Sequence, residues 1–158
     1  MKKIILITFL LLPIGVFVFL KFFGKNEFSI PVYYENGVDS TPAGCNRKYV
    51  SPYLVSDAPL INFGWNGRPV LIVADSSRSV QEEINRLDEE LSAELQIIFL
   101  SGKDEYMDEF YSCDLLLKDP WKMVLIDDQR RIRGYYNLET REEVDRLVVE
   151  LKILLKKY

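Results

Sequence analysis

The stretch VLIVADSSRSVQEEINRLDEEL, from Val70 to Leu91, constrains the fold of this chain more than any other. Val70 to Ala74 is a continuous apolar run, the pattern of a strand buried on both faces. A polar turn follows, in which Ser77 or Ser79 can cap a helix. Val80, Ile84, Leu87 and Leu91 then recur on one side at helical spacing. Ile97 to Leu100 is a second apolar run. Strand, crossover helix and strand within about 30 residues predict a right-handed βαβ unit.

The remainder extends that unit. In GKDEYMDEFYSCD, Tyr106, Met107, Phe110 and Tyr111 predict a short amphipathic helix. Met123 to Ile126 and Ile132 to Tyr136 read as strands, and the tight Asp127-Asp128-Gln129-Arg130 connection makes them an antiparallel hairpin. Val144, Leu147, Val148, Leu151, Leu154 and Leu155 define a closing helix from about Thr140 to Lys156, with Glu/Arg pairs on its polar side. The expected fold class is α/β, a thioredoxin-like mixed four-stranded sheet flanked by helices, over residues 67–158. Residues 24–66 read as a linker and an irregular extension rich in Pro, Gly and Tyr. Its aromatics Tyr33, Tyr34, Tyr49, Tyr53, Phe63 and Trp65 are expected to pack along the domain edge.

Residues 1–23 obey different physics. Ile4 to Leu20 carries no charge, and Phe22-Phe23 follow Lys21. As a helix, this run covers about 26 Å, close to the roughly 30 Å of a hydrocarbon core, and Lys21 can snorkel outward. Pro13 is tolerable in such a span. We read residues 1–23 as an uncleaved transmembrane anchor. A cleaved secretory signal shares the basic start and apolar stretch, but this stretch is long for one and Phe22-Phe23-Gly24 is a poor cleavage site. Lys2 and Lys3 place the N-terminus in the cytoplasm and the domain on the periplasmic or extracytoplasmic side of an inner or plasma membrane, although Lys21 and Lys25 weaken that asymmetry. Beyond residue 23 the chain has 17 Lys+Arg against 24 Asp+Glu, about −7, with no basic stripe, which excludes nucleic acid as a partner.

The stretch MVLIDDQRRIRGYYNLETREEVDRLVVELKILLKKY, residues 123–158, resembles the end of the SCO/SenC-type proteins. These are membrane-anchored, thioredoxin-like copper chaperones that help assemble cytochrome c oxidase. GRPVLIV at 67–73 fits the start of that family's first central strand, and the N-terminal anchor fits as well, whereas residues 28–66 match loosely. Family members bind copper through a C-x-x-x-C pair after that strand and a histidine ahead of the third. Soft thiolates and imidazole suit copper in both oxidation states. The resemblance places those ligands at Ser76, Val80 and near Asp119-Pro120, and the chain has no histidine. It therefore implies a divergent member without the usual metal site or cofactor, acting as a binding or assembly factor of a membrane respiratory complex.

Other chemistry is sparse. Cys45 and Cys113 are the only thiols. In an oxidising compartment they can form a disulfide, or serve as a redox pair in a thiol–disulfide oxidoreductase or carrier. The bland alternative is two buried, unpaired thiols. Asp75 in VADSSRS faintly resembles an aspartate nucleophile, but the second aspartate such enzymes carry two residues on is Ser77 here. Asp75 and the serines more simply serve the helix N-terminus. Serine catalysis lacks a histidine base. Asp104, Glu105, Asp108, Glu109 and Asp114 read as a solvated helix face, with cation binding the weaker alternative. A purely structural envelope domain is the remaining reading.

Overall fold

The computed structural model describes residues 2–23, 28–74, 77–91, 94–100, 105–137 and 139–156. Its elements are α1 (Lys2–Phe23), α2 (Asp57–Asn62), β1 (Val70–Val73), α3 (Arg78–Leu91), β2 (Gln96–Phe99), α4 (Glu105–Glu109), a π-helical turn (Phe110–Asp114), β3 (Met123–Ile126), β4 (Ile132–Tyr136) and α5 (Arg141–Leu154). Among the described residues no helix is long and apolar enough to cross a membrane. In α1, the side chains of residues 2–8, 10 and 23 lie outside the description, and the run 11–22 is about 18 Å long at the helical rise.

The four strands form one mixed sheet in the order β2-β1-β3-β4. β1 and β2 are parallel, with Val70 opposite Gln96 and Val73 opposite Phe99. β3 runs antiparallel to both neighbours, pairing Met123 with Val73 and with Tyr136. β1 and β3 are buried throughout, which is why their sequences are unbroken apolar runs. Successive side chains alternate across the sheet. Val70, Ile72, Val124, Ile126 and Tyr135 meet Leu60 and Phe110 on one face. Leu71, Val73, Met123, Leu125 and Tyr136 meet Ile84 and Leu87 of α3 and Leu147 and Leu151 of α5 on the other.

The extension contributes more than edge packing. Ile30, Tyr53, Val55 and Leu60 are buried in these cores, while Tyr34, Tyr49, Phe63 and Trp65 pack against them half-buried. The stretch read as loop also contains α2, with Pro59 inside its first turn, where a missing N–H costs nothing. α4 continues into the π-helical turn, closed by the Leu115 N–H on the Phe110 carbonyl at 2.9 Å. At the start of α5, the Thr140 side chain accepts from the Glu143 N–H.

The β3–β4 hairpin holds one irregularity, a bulge between Leu125 and Ile126 and their partners Gly134 and Ile132. The extra residue is Arg133. A bulge re-aims side chains, and here the Arg133 Nη1 reaches the Asp127 carboxylate at 3.1 Å and its Nη2 reaches the Ile30 carbonyl at 2.6 Å. Asp127 also accepts from the Arg131 Nε at 2.7 Å and from the backbone N–H groups of Gln129 and Arg131. One buried carboxylate thus organises the turn and ties the extension to β4.

Candidate functional site

Two places bear chemistry-capable residues. The first is the turn that leaves β1. The Ala74 N–H donates to the Lys122 carbonyl at 2.9 Å, so the end of β1 lies beside Lys122. Position 119 is thereby brought to the end of the sheet that carries the turn. Asp75 and Ser76 lie outside the described residues. Val80 is not part of any open site: it is buried in the core with Ile84 and Leu87, and an aliphatic side chain has no lone pair to give a metal. Asp119 is exposed and accepts from the Lys122 Nζ at 2.7 Å. That hydrogen bond and the ammonium charge hold its carboxyl below the usual value.

Behind this loop Arg146 is enclosed by aromatic rings, its guanidinium 5.6 Å from the Trp121 centroid and 4.8 Å from that of Tyr136. It donates to the Tyr135 carbonyl and pairs with Glu143 at 3.1 Å, with Glu150 at 3.8 Å. These are the helical Glu/Arg pairs of the sequence. The Tyr136 hydroxyl donates to Glu150, and burial, reinforced by that carboxylate, pushes its phenol well above the normal range. The group is a packed clamp between β4 and α5.

The second place surrounds the cysteines. Cys45 and Cys113 form a disulfide, with Cα atoms 5.6 Å apart and a sequence separation of 68. Around it, residues 45–53 are stitched to residues 113–114. Arg47 donates to the Asp114 carboxylate. Tyr49 donates to the Cys113 carbonyl at 3.0 Å and Tyr53 to the Asp114 carbonyl at 2.7 Å. The hydrogen bond from Arg47 to Asp114 raises the arginine's pKa, against the opposing effect of burial. Burial, with the Asp114 charge added, pushes the Tyr53 phenol far up.

Asp114 therefore departs from the expected solvated face, for it is 2 % exposed and committed to Arg47. Glu109, 3.6 Å from Arg47, remains exposed, as does Asp108. Asp104 and the Glu105 side chain lie outside the described residues. A shallow pocket of about 110 Å³ opens between Arg47, Glu109, Asp114 and the apolar Pro59, Tyr106 and Phe110. Arg47 escaped the reading of the sequence. Its signal was present: it stands two residues after Cys45, and Asp114 directly follows Cys113, so a disulfide forces opposite charges together.

Among the described residues, no three His, Cys, Asp or Glu side chains converge as a metal-ligand group. Both thiols are consumed in the disulfide. Fold and site together define an α/β domain built on a mixed four-stranded sheet and stapled by one disulfide. No protein-family model matches the chain, and no curated protein is significantly similar to it.

Proposed function

We propose that this chain is a membrane-tethered, thioredoxin-like relative of the SCO/SenC proteins that has lost their metal and thiol chemistry. In this reading it acts as a non-catalytic binding factor in the assembly of a membrane respiratory complex. The sheet order β2-β1-β3-β4, with only β1 and β2 parallel, is compatible with a thioredoxin-like arrangement and supports that part of the reading. The observation that carries the loss of chemistry is the fate of the family's ligand positions. Val80 is sealed in the core, and Asp119 is engaged by Lys122 where the resemblance puts a histidine. An aliphatic Val80 and an Asp119 paired with Lys122 do not fit copper.

The test has two arms. Full-length protein is titrated with Cu(I) and Cu(II), and no stoichiometric uptake is expected; tight one-to-one binding overturns the reading. Affinity capture from the native membrane should then recover subunits of a respiratory oxidase, with less assembled oxidase when the protein is deleted. Unchanged oxidase content in the deletion overturns the assembly role.

A second reading uses Cys45 and Cys113 as an exchanging pair. The half-exposed position of Cys45 favours it, since an external thiolate can approach that side. A reduction potential in the range of known oxidoreductases supports exchange, whereas a bond resistant to the glutathione pool supports a structural staple.

A further inference from the structure

The sheet has a polarity relative to the anchor. The chain joins the domain at Ile30, whose carbonyl is held by Arg133, and the Tyr33 N–H donates to the Ile132 carbonyl at 2.9 Å. Both contacts lie at the start of β4, the end of the sheet shared by Val70, Ile126 and the 127–131 turn. Val73, the last residue of β1, and Ala74 after it lie at the other end, beside Met123, Lys122 and Tyr136. Phe23 and Ile30 are seven Cα steps apart, a reach of at most about 25 Å. If α1 is the anchor, the chain enters the domain at the hairpin end, and docking of that end on the membrane would turn the far end of β1 away from it.

At this hairpin end a pocket of about 350 Å³ is lined by Phe28, Asp127, Asp128, Arg131, Arg133 and Lys156, among others. Three cations stand there against two carboxylates, in a body that carries about −7. Arg131 and Arg133 share the single Asp127 carboxylate, which leaves the pocket a net charge of about +1. Phe28, 59 % exposed, adds an apolar wall on the strand of chain that leads to α1. An acidic domain is repelled by an anionic bilayer everywhere except where a local excess of cations meets it.

We propose that this pocket docks on the anionic phospholipid headgroups of the membrane that holds the anchor, fixing the domain with its β1 turn outward toward a partner. The proposal rests on the anchor reading made above. The test places the full-length protein in nanodiscs of phosphatidylcholine, with or without phosphatidylglycerol, and follows amide hydrogen exchange over residues 128–131 and 153–156. Exchange slows in the anionic discs. Lys156→Ala lowers the docking equilibrium about fivefold, the worth of one basic side chain near such a surface, while Lys156→Arg retains it. Equal exchange in the two kinds of disc overturns the proposal. So does equal slowing in phosphatidylcholine discs given millimolar inorganic phosphate, which assigns the pocket to a free anion. Alkaline extraction reads the anchor separately. Release refutes anchor and docking together, whereas retention without lipid dependence refutes the docking alone.

Discussion

Arg47 and Asp114 are 67 positions apart in sequence and form an ion pair in which the aspartate side chain is almost fully buried while the arginine side chain stays 29 % exposed. A buried charge deprived of its partner is costly, and the partial exposure of Arg47 places this pair below the fully buried range. Arg47→Ala should therefore lose about 2–3 kcal/mol in urea unfolding. Adding Asp114→Asn to that variant should recover part of the loss. A loss within about 0.5 kcal/mol would mean that water already satisfies Asp114.

The disulfide closes a loop of 68 residues, for which the chain-entropy account gives about 4 kcal/mol. Replacing Cys45 and Cys113 together by alanine should lower unfolding free energy by roughly that amount. A much smaller change would show that the Arg47, Tyr49 and Tyr53 contacts hold the segment by themselves.

Gly134 is crowded by a neighbour on its own strand. A Cβ built there would lie 2.2 Å from the Tyr136 hydroxyl oxygen and 2.6 Å from its Cζ, because residues two apart on a strand share one face. Gly134→Ala should destabilise the protein by about 1–3 kcal/mol, the usual range for overpacking. Calorimetry reads this as a lower Tm, and an unchanged Tm would show that the Tyr136 ring can swing aside.

The phenols of Tyr53, Tyr135 and Tyr136 are all raised above 10.0, chiefly by burial. A raised folded-state pKa means the unfolded chain loses its proton first. Stability from these groups is complete below about pH 10 and declines as pH rises above it. Urea midpoints measured from neutral pH to about pH 11 should fall only over the alkaline part. Tyr53→Phe should flatten that fall.

Asp119 offers a smaller test. Its carboxyl is held below 3.8 by Lys122. In Lys122→Ala, its titration followed by NMR should move back up toward that value, and a titration that stays put would show another group to be responsible.

Much of the fold was legible because its signals are local. β1, β3 and β4 fall where uninterrupted apolar runs put them, α3 and α5 follow their apolar stripes, and four turn residues suffice to announce the hairpin. β2 begins one residue earlier than expected, at Gln96, whose side chain leaves the strand to bond Asn66 and Gly64. What was illegible is non-local. A π-helical turn has no sequence period of its own, α2 is only six residues long, and Arg47 looks like any surface arginine until Cys45 finds Cys113. The cysteine pairing was one of several readings, and the geometry selects it. The buried Asp114 sat inside an acidic run in which Asp108 and Glu109 are exposed.

The covalent ring closed by Cys45 and Cys113 encloses β1, α3 and β2. A protease that nicks the exposed Ser77-Arg78 bond consequently releases nothing: both fragments remain a single species on a non-reducing gel and separate only once a reductant opens the ring. After a cut in the crossover, the two halves stay joined by topology, independently of how tightly they are packed.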